Sequence, residues 1–288
     1  MASPSNYSGS PTPAQLVAEM RAIPPVARVL ARLQHLLTDP NSGLEDIARN
    51  IRLDAALTTR VIQISNSVWF RRGLPSTTIT EAVERVGFRE VYRMVGVVAS
   101  SSLVAQPLGA YRRSAAEMWR ESVTCAFAAE MLADRLGEDM SAAYLGGLLH
   151  GIGRLPIDRY LKQSPDARPL ADEGFPFDHS GAEYALLGFT QADVAALMLA
   201  QWEFPAGVTL PIQHQYQPLE APEEHDRMAA VLYGARLLRS VVCQEVAPAD
   251  LPVDEEILGV LHLGLDDVLG FLPDLNAQVA RAMQMTGA

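Results

Sequence analysis

Two cysteines in 288 residues leave no disulfide framework to consider. Cys125 and Cys243 lie far apart, in apolar helical contexts and in no metal-like spacing, so both read as free buried thiols. No stretch approaches the roughly 18 uninterrupted apolar residues of a membrane-crossing helix. The N-terminal Met-Ala-Ser-Pro-Ser-Asn-Tyr-Ser lacks both the basic start and the apolar core of a signal peptide, so a soluble cytoplasmic chain is expected. Convincing period-two alternation is missing throughout, which removes the sheet-bearing fold classes and leaves an all-α protein. No P-loop, dinucleotide fingerprint or Ser/His/Asp arrangement stands out either.

What is present is enough apolar material for a substantial core: 49% of the chain is hydrophobic and 20% charged. The net charge of −11 is unevenly spread. Residues 1–120 hold 14 Arg, no Lys and 9 acidic residues, whereas residues 121–288 hold 9 basic and 25 acidic ones. So acidic a chain is a poor general nucleic-acid binder, although its basic half could present a local patch to a phosphate-bearing or acidic partner.

Helix start signals organise the chain. Residues 1–13, rich in Ser, Pro and Gly, read as a disordered tail. A first bundle is expected over 14–106. Pro24-Pro25 marks one start in it, Ser42-x-x-Glu45 and Thr78-x-x-Glu81 are capping boxes, and Asp54 is an N-cap. The paired short helices of 44–65 invite a helix-turn-helix interpretation. Their exposed Thr58, Thr59, Arg60 and Gln63 are a thin set for reading base edges, so two packed bundle helices are the better account. Pro107-Leu-Gly marks the boundary to a second helical domain over 107–245, opened by the Ser114-x-x-Glu117 box, and 246–288 forms an acidic helical tail.

The stretch Tyr144–Pro156, Tyr-Leu-Gly-Gly-Leu-Leu-His-Gly-Ile-Gly-Arg-Leu-Pro, carries the chemistry. Leu145, Leu148, Leu149, Ile152 and Leu155 recur at three- and four-residue spacing, predicting one buried helical stripe with His150 beside it. A histidine so placed must find a hydrogen-bond partner, whether a backbone carbonyl or a ligand.

That stretch resembles the Leu-Leu-His-Asp-Ile-Gly-Lys segment of the HD metal-dependent phosphohydrolases. Together with Ile23-Pro-Pro-Val, Leu44-Glu-Asp-Ile-Ala, Ser65-Asn-Ser, Ile79-Thr-Glu-Ala-Val-Glu-Arg-Val-Gly and Gln191-Ala-Asp-Val-Ala-Ala-Leu, it makes the chain similar to the HDOD family over residues 20–245. The resemblance implies a helical bundle packed on an HD-like helical domain, and signalling work in bacteria. An HD hydrolase needs His, an adjacent His-Asp pair and a later Asp to hold a metal that activates water. The corresponding positions here are Glu121, His150 with Gly151, and Ala235, and the added histidine of metal-rich relatives is Gln191. Only Glu121, His150 and His214 could still converge.

The expectation is therefore a non-catalytic regulatory protein that needs no cofactor and binds signalling proteins or a small phosphate-bearing ligand, with no membrane role. Asn66, Arg71, Arg72, His150 and Arg154 are candidates to line a groove between the two halves. Two alternatives are a residual HD phosphohydrolase acting on a nucleotide or cyclic dinucleotide, and a nucleic-acid-associated regulator using the basic half.

Overall fold

The helices begin where short polar side chains can accept the orphan amides of a first turn. The computed structural model describes residues 11–20, 24–70, 74–163, 170 and 179–286. Among these residues every regular element is helical, apart from an isolated antiparallel bridge between Leu108 and Arg113, and no helix is long and apolar enough to cross a membrane. The expected all-α fold is what the chain adopts.

Thr12 and Gln15 form a capping box that opens α1 (Pro13–Ala18), so regular structure starts inside the segment expected to be a tail; residues 1–10 lie outside the described set. Then follow α2 (Pro25–Thr38), α3 (Leu44–Ile51), α4 (Ala55–Ser65), α5 (Ile79–Val86) and α6 (Phe88–Leu103). Asp54 caps α4 by accepting from the Leu57 amide at 2.9 Å. The box expected at Ser42 is displaced by one residue: Gly43 is the N-cap, and its amide donates to Asp46 at 3.1 Å. Thr78 caps α5 as expected, but Glu81 reaches Thr77 instead of closing the box.

The second half contains α7 (Ala115–Leu136), α8 (Met140–Leu149), α9 (Arg154–Gln163), α10 (Ser180–Leu187), α11 (Gln191–Gln201), α12 (Ala206–Gln213) and α13 (Asp226–Val242). The tail supplies α14 (Glu255–Val260), α15 (Leu265–Leu269) and α16 (Leu272–Thr286). The Ser114 box opens α7, and Gly137, at φ 72°, ends it in the left-handed conformation that glycine adopts without strain.

The stripe predicted through Leu155 does not lie on one helix. α8 ends at Leu149 with His150 as its C-cap, and α9 restarts at Arg154. The reason is close packing at the turn: a Cβ on Gly153 would lie 2.0 Å from the Gln191 carbonyl oxygen. The turn therefore brings the backbone directly against the start of α11. Gly147 does the same for α8 on α7, where a Cβ would lie 2.4 Å from the Cys125 carbonyl oxygen.

The two halves meet through α6. Trp119 on α7 donates to the Val97 carbonyl at 3.2 Å, Tyr144 on α8 donates to the Arg93 carbonyl at 2.9 Å, and Arg93 pairs with Glu130 at 2.8 Å. Tyr92 donates to Gln34 at 2.7 Å beneath them. This seam is packed with buried aromatic rings, so the open groove expected between the halves is filled at its centre. The short α1, counted by sequence with the first bundle, instead packs chiefly on α11 and α9 of the second, burying Leu16 and Val17.

Candidate functional site: a buried arginine and carboxylate centre

α7, α8, α9 and α13 converge on Glu121, which is 3% exposed. Arg154 and Arg239 approach one carboxylate oxygen, Oε2, at 2.9 and 3.0 Å, and Arg113 approaches the other, Oε1, at 3.1 Å. Arg113 and Arg239 also share Glu245, at 3.2 and 3.1 Å. Three guanidinium groups thus enclose two carboxylates. A buried guanidinium is tolerable only in such company, because unpaired burial of its charge costs several kcal/mol, on the order of the penalties measured for ions in protein interiors.

Electrostatics follow from this arrangement. Burial pushes the Glu121 carboxyl up, but the charges of Arg239, Arg154 and Arg113 outweigh it and hold the group below the usual carboxylate range. Burial dominates at Glu245, which stays above that range although Arg239 opposes the shift. His150 is held well below the ordinary imidazole value, first by burial and then by Arg239 and Arg154. It is therefore neutral. Its Nδ1 lies 2.7 Å from the Gly147 carbonyl oxygen and so carries the proton, leaving the buried Nε2 as a lone-pair acceptor without a hydrogen-bond partner.

The backbone of His150 is equally engaged. As the C-cap of α8 it presents a carbonyl with no helical donor, and the side-chain amides of Gln191 and Gln215 both donate to it at 2.9 Å. Gln191 also donates to the Tyr216 hydroxyl at 2.9 Å, and the Gln191 backbone amide donates to Glu183 at 2.7 Å. Glu183 accepts in turn from Tyr111, over whose ring Arg154 lies at 5.8 Å. Arg236 stacks on Tyr216 at 4.2 Å and donates to the Gln215 carbonyl.

The candidate residues thus separate. Glu121, His150, Gln191 and Arg154 come together, with Gly151 in the turn and Ala235 buried on α13. His214 is half-buried at the end of α12, and it is Gln215, its neighbour, that turns into the centre. Of the residues expected to line a groove, His150 and Arg154, 2% and 3% exposed, are interior residues of the second half. Asn66 serves within the first half, where its side chain closes a loop by pairing with both backbone groups of Ser76 at 2.7 Å. Arg71 and Arg72 lie outside the described residues.

Sequence inspection missed Arg113, Arg239, Glu245, Glu183 and Gln215. Arg239 did leave a signal, as a lone charge in the apolar run Leu237-Leu238-Arg239-Ser240-Val241-Val242. The others are brought in by loops and helix ends that no spacing rule connects.

A metal of the HD type does not fit these residues. Both oxygens of Glu121 are engaged by guanidinium groups, Ala235 and Gly151 offer no ligand atom, and the surrounding charge is already positive. Among the described residues no group of three or more His, Cys, Asp or Glu could hold a metal ion. At Gly151 a Cβ would meet nothing closer than the Arg154 guanidinium, at 3.8 Å. Where an HD enzyme places a carboxylate beside its metal, this chain faces a fixed organic cation.

An HDOD domain protein of unknown function from Geobacter sulfurreducens superposes with a TM-score of 0.72 at 20% identity, over 94% of this chain and 97% of that one. A Shewanella amazonensis SB2B protein described as a candidate phosphohydrolase gives 0.69 at 22% identity, over 95% and 97% of the two chains. A Marinobacter aquaeolei VT8 protein described as a candidate signal transduction protein gives 0.70 at 24% identity, over 95% of this chain and 60% of that one. At these identities the likeness is one of fold. A Treponema pallidum (strain Nichols) protein without assigned function is 25% identical over 219 residues, 75% of this chain, and the match spans 42% of that relative's length. Residues 23–218, well over half of the chain, match the HDOD domain, and the chain belongs to the HDOD domain family.

Proposed function

We propose that the chain is a non-catalytic regulatory module that acts by binding other signalling proteins. The observation that carries this is the engagement of Glu121 by Arg113, Arg154 and Arg239. Metal-assisted hydrolysis needs an open coordination position and a water to activate there. At this centre the cationic charge is covalently part of the chain, and guanidinium, which stays protonated at any physiological pH, polarises no bound water toward hydroxide. The fold of an HD hydrolase is retained while its reactive centre becomes a structural ion cluster.

The test is metal stoichiometry on protein purified without chelator and then offered manganese, zinc and iron, with His150→Ala as control. Expected is well below one equivalent of any metal, unchanged in the variant. Near-unit occupancy that disappears in His150→Ala overturns the proposal and turns attention to phosphodiesterase and nucleotidase assays, because the buried Nε2 of His150 would then be a ligand.

A further inference from the structure

We draw no further inference here: the strongest candidate, the groove of about 250 Å³ where α4, α6 and α7 meet, lined by Arg60, Val98, Val104, Ala116 and Trp119, carries nothing because no contact in the structure shows what covers its apolar walls.

Discussion

Glu121 sets the energetics of the centre, because among the described residues it is the carboxylate that faces all three of Arg113, Arg154 and Arg239. Glu121→Gln leaves those cations short of a counter-charge, and removing one partner of a buried pair typically costs about 3–5 kcal/mol. A loss of that size in denaturant unfolding is expected; a change under about 1 kcal/mol would mean that Glu245 and solvent suffice. Gly151→Asp is the converse case. Its Cβ has space beside the Arg154 guanidinium, but the position is buried and the added carboxylate must be desolvated, so the variant should lose about 1–3 kcal/mol and still hold no stoichiometric metal.

His150 imposes a pH dependence whose sign can be worked out. Its folded pKa is depressed well below the ordinary value of about 6.5, so as pH falls through about 6.5 the unfolded chain takes up a proton that the folded chain refuses. The stability that neutral His150 contributes is complete above that pH. Below it, stability declines by about 1.4 kcal/mol per pH unit until the folded pKa is reached. Glu121, also depressed, contributes stability that is present above about 4.3 and lost as pH falls through its folded value. In His150→Gln the decline between pH 6.5 and 5.5 should shrink by about the single-group slope. Parallel stability profiles for the two proteins would refute the assignment.

At the scale of elements, three glycines distinguish close approach from ordinary helix. Gly147 and Gly153 let α8 touch α7 and the α8–α9 turn touch α11, and a Cβ at either would overlap backbone atoms that have nowhere to move. Gly147→Ala should cost about 3 kcal/mol, the upper range for overpacking, with the loss read from the urea midpoint. Gly181, in the first turn of α10, has nothing within 4 Å of the place a Cβ would occupy, so Gly181→Ala should be neutral or gain up to about 1 kcal/mol. Similar losses at both positions would remove close approach as the explanation.

At the scale of the molecule, the chain ends tie the two halves together. α1 precedes the first bundle in sequence yet buries Leu16 and Val17 against α9 and α11, while α16 returns from the second half to Phe70 and Arg60 of the first. Leu16→Ala should therefore cost about 2–5 kcal/mol. By hydrogen exchange it should loosen α9 and α11 in preference to α3, α4 and α5. Loosening confined to the first bundle would place α1 with its sequence neighbours. The uneven charge of the two halves is consistent with such ties, since attraction between a basic and an acidic unit favours their association at low salt.

The helical class and most helix starts follow from caps and apolar spacing, which are local properties of the chain. Asp54, Thr78, Ser114 and Gly137 behave as their local chemistry dictates. What fills the centre is a product of packing. Arg113, Arg154, Arg239 and Glu245 come from distant parts of the chain and meet because α7, α9 and α13 cross at one point. Packing also broke the apolar stripe at His150, since the demand for backbone contact at Gly153 overrides a helical period that would otherwise run on. Spacing along a chain reports which face a residue shares with its neighbours, but whether a buried charge is a site or a strut depends on the partners that packing delivers.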